Sequence, residues 1–297
     1  MDTEGFVNVQ GGRIWYQIVG DNHHAIPLLT LHGGPGSAHL GMEPLAQALG
    51  SKRPVILYDQ LGCGQSDRPD DNSLWTVERF VRELAVLRDA LGLKQVHLLG
   101  HSWGTMLLAD YLLTQPEGVN SAIFSSPCLS VTRWIEDADR NRKELPEDVQ
   151  VVLRECEANG TTDSEAYRNA EKVYMQKYLC RVERSEEEKA RRKAAFGESV
   201  YNYMWGPSEF HATGTLRNYD RTDRLHETTV PCLFTCGFYD EASPASTDYY
   251  HSLIAGSEFH VYPNSSHSPM VEEPEAYFRT VDAFLGKHEC QKKVLSP

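Results

Sequence analysis

Short apolar runs that end in glycine-containing turns recur along the first part of the chain. Segment 13–20 alternates between side-chain classes as a strand does, whereas 28–36 (LLTLHGGPG) and 54–64 (PVILYDQLGCG) are continuous apolar runs that end in tight loops. A short continuous run is typical of a strand that is buried on both faces. We therefore predict three strands here, two of them in the interior of a sheet.

Helical periodicity alternates with these runs. Segment 76–92 carries apolar residues at helical spacing and stops at Gly92, a favoured helix-ending residue. The apolar run 95–100 predicts the next strand, followed by a helix to about Thr114 and a strand over 119–127. Strands that alternate with helices predict an α/β fold with a mostly parallel central sheet and helices on both faces.

The alternation is interrupted once, in the middle of the chain. From about residue 129 to 223 no clear strand is found, and the segments are charged and helical. We predict a core domain formed by 1–127 and 224–297, and a helical cap domain, 128–223, inserted into it. The pattern resumes with a strand at 230–237, a helix near 244–254, a strand at 257–263 and a closing helix from about 273 to 286.

Composition narrows the class of protein. The formal net charge of −13 over 297 residues argues against a nucleic-acid partner, whose phosphates would be repelled. No apolar run approaches the roughly 20 residues of a membrane span, and the N-terminal segment lacks a signal pattern, so we expect a cytoplasmic protein without a membrane partner. Reduced thiols are expected, because the cysteines are odd in number and unpaired in spacing, at positions 63, 128, 156, 180, 232, 236 and 290.

A serine between two glycines, in GHSWG (100–104), lies where a predicted strand meets a predicted helix. At such a junction a sharp turn exposes the Ser102 hydroxyl above the sheet, and Gly100 and Gly104 allow the helix to pack close to the strand. GxSxG alone occurs often by chance, so its context must decide. The strand before it and the helix after it favour Ser102 as a nucleophile.

A serine nucleophile needs a base, and the base needs an acid that orients it. Asp240 follows the strand at 230–237, and His267 follows the strand at 257–263. Taken alone, Asp240 would be read as a turn aspartate and His267 as an exposed loop histidine. Their order after Ser102 and their place at the carboxyl ends of strands predict a catalytic triad.

Acyl transfer also requires donors for the oxyanion. The Trp103 N–H directly follows the nucleophile, and Gly34 of HGGPG (32–36) is our choice for the second donor, since this loop ends an early strand. His101 is expected to be a packing residue rather than a second base. No HExxH or GxGxxG pattern is present, so we predict neither a metal site nor a cofactor.

The motifs HGGPG, DQLGCGQSDRP, GHSWG, GFYDEASP and NSSHSPM together resemble the proline iminopeptidase family of α/β-hydrolases, including related amino-acid amidases. The resemblance covers nearly the whole chain. It implies the α/β-hydrolase fold, a serine aminopeptidase activity that removes an N-terminal residue, usually proline, and the triad Ser102, Asp240 and His267. One departure is Thr105, where the family commonly has a second glycine after the elbow.

The resemblance also implies how a substrate with a free α-amine is held. The family binds the ammonium group with a glutamate of a GPxE element and with one that follows the triad aspartate. Here these are Glu209 and Glu241. Trp205 and Tyr203 are expected to wall a small ring pocket beside them.

The predicted function is therefore release of an N-terminal residue, preferably proline, from short peptides or amino-acid amides through an acyl-enzyme. The alternative is an esterase, lactonase or specialised-metabolite hydrolase on the same scaffold, acting on a substrate without a free amine, because fold and triad do not determine the substrate. A binding protein built on a hydrolase core is a further alternative. The sequence leaves the oligomeric state open.

Overall fold

A computed structural model of the chain describes residues 2–22 and 24–289, so that Cys290 of the predicted thiols lies outside the described residues. One eight-stranded sheet runs through these ranges. Its strands are β1 (Thr3–Val9), β2 (Gly12–Val19), β3 (Leu28–Leu31), β4 (Val55–Tyr58), β5 (Val96–Ser102), β6 (Val119–Pro127), β7 (Cys232–Gly237) and β8 (Glu258–Tyr262). Their order is β1-β2-β4-β3-β5-β6-β7-β8. β2 pairs antiparallel with β1 and β4, and the remaining neighbours are parallel.

Helices cover both faces of the sheet, as predicted. α1, α10 and α11 pack on one face and α2, α3 and α9 on the other, each over a continuous apolar layer. None of the described helices is both long and apolar enough to cross a membrane. The helices are α1 (Glu43–Leu49), α2 (Val77–Ala90), α3 (Trp103–Leu113), α4 (Val131–Lys143), α5 (Glu147–Asn159), α6 (Glu165–Tyr178), α7 (Glu186–Ala195), α8 (Glu198–Met204), α9 (Pro244–Ser252), α10 (Pro269–Glu272) and α11 (Pro274–Lys287).

The predicted strands β2 to β8 and the mixed α/β architecture are confirmed, whereas β1 and α1 were not predicted. In β1 only Val7 is buried, so the strand lacks an apolar alternation strong enough to recognise. α1 has seven residues, which is too short for a 3.6-residue period to stand out. β1 pairs along its length with β2, and the apolar side chains of α1 pack in the layer that covers one face of the sheet.

Helices α4 to α8 lie between β6 and β7, in the segment predicted as a cap; we call residues 128–223 the helical insertion. Its two ends meet where Ser130 Oγ donates a 2.6 Å hydrogen bond to Asp220. The insertion has a small apolar cluster of its own, built from α4, α5, α6 and Phe210. Arg68, from the loop after β4, donates to the carbonyl oxygens of residues 194, 195 and 196 and so fastens the end of α7 to the core.

Candidate active site

Ser102 ends β5 and directly precedes α3, with φ 55° and ψ −124°. A non-glycine residue rarely adopts positive φ, and such strain is typical of a serine held on a sharp strand–helix turn. The turn requires its glycines: a Cβ at Gly104 would lie 2.1 Å from the Leu31 carbonyl oxygen, and one at Gly100 would lie 2.4 Å from that of Gly104. The sequence therefore forces α3 against β3 and β5 and leaves Ser102 at the bend.

Thr105, the departure from the family pattern, takes part in this turn. Its hydroxyl donates to the Ser102 carbonyl oxygen over 2.6 Å and accepts the Cys128 N–H over 3.0 Å. The side chain is completely buried. Thr105 thus ties the first turn of α3 to the residue that follows β6.

The loops after β7 and β8 bring an acid and a histidine together. His267 Nδ1 lies 2.7 Å from Asp240 Oδ1, and both side chains are buried. Asp240 is held in turn by the N–H groups of Gly237 and Ala242, at 3.2 and 2.8 Å. A carboxylate that accepts the Nδ1 proton leaves Nε2 with a lone pair, which is the tautomer that a general base requires. Ser102 and His267 line the same cavity, of about 410 Å³.

His101, next to the nucleophile, supports the histidine loop. Its Nε2 lies 2.8 Å from the His267 carbonyl oxygen, and the two rings are 4.8 Å apart. Burial, together with the neighbouring His267, lowers the pKa of His101 to about 3. A neutral ring that donates to a carbonyl group is a packing and positioning residue, as expected for His101.

The HGGPG loop lies against the serine. A Cβ added at Gly33 would lie 3.1 Å from Ser102 Cβ, and Gly33 and Gly34 both line the cavity. Gly34 has φ 112°, where a side chain would collide with the backbone of Gly36. His32 fixes the loop: its Nδ1 donates to the Gly33 carbonyl oxygen over 2.9 Å, and its Nε2 accepts the N–H of residue 60 over 3.0 Å.

Trp103 begins α3, so its N–H has no carbonyl partner within the helix. Its indole nitrogen donates a 2.8 Å hydrogen bond to Gln60, which keeps the side chain buried under the turn. The predicted donors, the N–H groups of Gly34 and Trp103, therefore belong to the two segments that flank Ser102.

The two glutamates that the resemblance implies are close to each other and to the histidine. Glu209 is half-buried and lines the cavity; burial raises the pKa of its carboxyl, while His267 and the Tyr201 hydroxyl oppose this shift. Glu241 is completely buried, does not line the cavity, and lies with Oε1 3.9 Å from His267 Nε2. Neither of its oxygens has a hydrogen-bond partner among the described residues. Burial and the charges of Glu209 and Asp240 raise the pKa of Glu241 well above its usual range.

An indole pair forms the wall beside Glu209. Trp134 donates from its ring nitrogen to the Glu209 carbonyl oxygen over 2.8 Å, and its ring meets those of Trp205 and His267 edge-on, at 5.8 and 5.6 Å. Trp134 and Trp205 line a small recess that also contacts Ser102. Trp134 was not predicted, because its position on a charged, amphipathic helix gave no sign of the pocket.

Tyr203 is not brought together with these residues. It is 38% exposed and lines neither the cavity nor the recess. The reason is its place on α8, where two residues before it Tyr201 points inward and lines the cavity. Positions two apart on a helix face different directions, so Tyr201 occupies the place that the sequence suggested for Tyr203.

One group of metal-type donors occurs in the described part of the chain. His32, Asp59 and Cys63 hold their donor atoms within 4.8 Å of one another and are buried. These atoms already have hydrogen bonds: His32 uses both ring nitrogens in the loop described above, and Asp59 accepts from His39 and from the Gln65 N–H. The group fits a hydrogen-bonded support beneath the HGGPG loop.

The sheet, the strained serine turn and the paired acid and histidine define an α/β-hydrolase, and residues 26–274 match the family described as alpha/beta hydrolase fold. More narrowly, the chain belongs to the proline iminopeptidase family. It is 51% identical to the proline iminopeptidase of Heyndrickxia coagulans, over 96% of this chain and 99% of the relative. It is 36% identical to that of Clostridium botulinum, over 97% and 99% of the two chains.

Solved structures agree with this assignment. VinJ superposes with a TM-score of 0.92 at 34% identity, covering 96% of this chain and 99% of VinJ. The proline iminopeptidase of Mycobacterium smegmatis gives 0.89 at 35%, covering 97% and 99%. An esterase of Exiguobacterium antarcticum, with a TM-score of 0.69 at 21% identity, shares the fold alone.

Proposed function

We propose that this protein is a serine aminopeptidase that releases an N-terminal residue, preferably proline, from short peptides or amino-acid amides. The observation that carries the proposal is Glu241, a buried carboxyl beside His267 Nε2 whose two oxygens accept no hydrogen bond from the described residues. Burying an unpaired carboxyl is costly, so its retention near the reacting groups fits a site that gains a cationic partner only when substrate binds. The free α-ammonium of a peptide is such a partner.

In the proposed mechanism, Glu209 and Glu241 hold the α-ammonium and thereby place the first carbonyl at Ser102. His267 Nε2 takes the serine proton as Oγ attacks, and the N–H groups of Gly34 and Trp103 stabilise the oxyanion. His267 then gives that proton to the leaving amine as the C–N bond breaks. Water, deprotonated by His267, attacks the acyl-enzyme, and the free amino acid leaves as Ser102 regains its proton.

The helical insertion acts as the cap in this proposal. It supplies Glu209, Trp134 and Trp205 to the pocket, while the core supplies the triad and the oxyanion donors. The recess between the two indoles and Ser102 is the place we assign to the first side chain. A compact pyrrolidine ring packs against such aromatic walls better than a long or charged side chain does.

Prolyl p-nitroanilide and its N-acetyl derivative test the proposal together. We expect rapid hydrolysis of the first and a loss of at least about 100-fold in kcat/KM for the second, because acetylation removes the positive charge that the buried carboxylates require. An esterase or lactonase, which is the alternative that the sequence leaves open, does not bind a free amine, so acetylation should leave its rate unchanged. Equal hydrolysis of both compounds, or preference for simple aryl esters, would establish that alternative instead.

A further inference from the structure

A third carboxyl group lies at the amine site and has no role in the mechanism above. Glu171, on α6, is half-buried and lines the same cavity as Ser102, Glu209 and His267. Among the described residues it accepts no hydrogen bond and forms no ion pair. An unpaired carboxylate on the wall of this cavity is available to a ligand.

The packing of α6 turns Glu171 toward Glu209. Four residues before it, the Tyr167 hydroxyl lies 2.8 Å from Ser208 Oγ; three residues after it, the Tyr174 ring packs 4.7 Å from that of Phe210. Residues at these spacings share one face of a helix. Glu171 is therefore held between two contacts to the segment that carries Glu209.

Electrostatics agrees with this geometry. Burial and the Glu209 charge raise the pKa of Glu171 to about 7, and Glu171 contributes in turn to the raised pKa of Glu241. The charges of three carboxyl groups, Glu171, Glu209 and Glu241, therefore influence one another at this site. Two carboxylates are enough to accept the N–H groups of a substrate that begins with proline. The N-terminal ammonium of proline is secondary and has two N–H donors, whereas that of any other amino acid is primary and has three.

We infer that Glu171 determines the class of N-terminal amine that the enzyme accepts, by receiving the third N–H of a primary ammonium group that proline lacks. The inference rests on the proposed function and deepens it. It predicts an enzyme that is broader than a strict proline peptidase, cleaving small residues with a primary amine as well. Without the Glu171 carboxylate, selectivity for secondary amines increases.

The test compares three p-nitroanilides: alanyl, N-methylalanyl and prolyl. Alanine and N-methylalanine share a side chain but differ in having three and two N–H donors. For Glu171→Gln we expect kcat/KM to fall about 10- to 100-fold with the alanyl substrate, as for loss of one charge-assisted hydrogen bond, and less than about threefold with the other two. The matched control is Glu165→Gln, an exposed glutamate on the same helix that does not line the cavity; it should leave all three rates unchanged.

The outcomes separate the inference from the proposed function. If the wild type cleaves none of the anilides, the aminopeptidase proposal itself fails. If the wild type cleaves the prolyl substrate but not the alanyl one, or if Glu171→Gln lowers all three rates by the same factor, the aminopeptidase stands and the role of Glu171 is overturned. A loss confined to the alanyl substrate supports the role, since general misfolding would reduce every rate.

Discussion

Replacing Glu241 by glutamine should make the free protein more stable and the enzyme much weaker. The side chain is fully buried, neither oxygen accepts a hydrogen bond from the described residues, and Glu209 and Asp240 place negative charge beside it. An unsatisfied buried polar group costs about 1–3 kcal/mol, and more when it is charged. Glutamine keeps the shape and removes the charge, so we expect Glu241→Gln to gain about 1–3 kcal/mol of unfolding free energy at neutral pH.

The length of the chain determines how far this gain in unfolding free energy raises the midpoint temperature of unfolding. At about 2.1 cal/mol/K per residue, unfolding 297 residues carries an entropy of about 0.6 kcal/mol/K, so the midpoint should rise by about 2–5 °C. Turnover of prolyl p-nitroanilide should fall at least about 10- to 100-fold in kcat/KM, because one charged partner of the ammonium is lost. Scanning calorimetry and initial rates measure the two effects on the same preparation.

The dependence on pH provides the internal check. A carboxyl whose folded pKa is raised contributes stability that is fully present below its unfolded pKa, near 4.5, and is lost as pH rises through the folded value. Wild-type stability should therefore decline from about pH 5 upward, and the decline should be shallower in Glu241→Gln. Glu187→Gln, at an exposed position on α7, is the control and should change neither curve. A lower midpoint for Glu241→Gln than for the wild type would refute the reasoning, since it would mean that the carboxylate makes stabilising contacts in the free protein.

Three further predictions concern the turn and the pocket wall. Ser102→Ala should reduce kcat at least about 10⁴-fold and abolish labelling by a fluorophosphonate, with an unchanged circular dichroism spectrum; retained labelling would place the nucleophile elsewhere. Gly104→Ala should destabilise the fold by more than about 3 kcal/mol in denaturant titration, because its Cβ would lie 2.1 Å from a β3 carbonyl oxygen. The control Gly286→Ala, on an exposed helix position with open space, should instead stabilise by up to about 1 kcal/mol. Trp134→Phe should lower kcat/KM for prolyl substrate about 2- to 10-fold by freeing the Glu209 carbonyl oxygen, and an unaltered rate would show that this bond does not position the carboxyl.

The core of the fold could be predicted from sequence because its strands are continuous apolar runs and its turns require particular residues. GHSWG is the clearest case: Gly100 and Gly104 tolerate no Cβ, so the spacing of the motif reflects the close packing around the turn. The order of Ser102, Asp240 and His267 could be predicted because each lies at or shortly after the carboxyl end of a strand that the sequence indicates. β1 escaped prediction because a strand with one buried side chain carries almost no pattern.

The pocket wall could not be predicted from sequence in the same way. Trp134, Glu171 and Tyr201 lie on amphipathic helices of the insertion, where the periodicity shows that a face is buried but not what it faces. Tyr203 illustrates the limit, because composition pointed to an aromatic residue in this stretch and only the helix phase distinguishes it from Tyr201. Such residues become identifiable once the helices are placed over the carboxyl ends of the strands.

The position of α6 over the carboxyl ends of the strands also links recognition of the substrate's amine to the position of the catalytic base. The middle of this helix holds Glu171 at the amine site, while at its end the Tyr178 carbonyl oxygen accepts the His267 N–H over 3.1 Å and that of Leu179 accepts the Ser268 hydroxyl over 2.9 Å. A shift of α6 that accommodates a different N-terminal residue would therefore also move the loop that carries the base. Since hydrogen-bonded positions of catalytic groups tolerate only small errors, substitutions that enlarge the pocket from α6 should lower kcat as well as change KM. Changes on the indole side, at Trp205, should alter substrate preference with less effect on kcat, because Trp205 has no hydrogen bond to the histidine loop among the described residues.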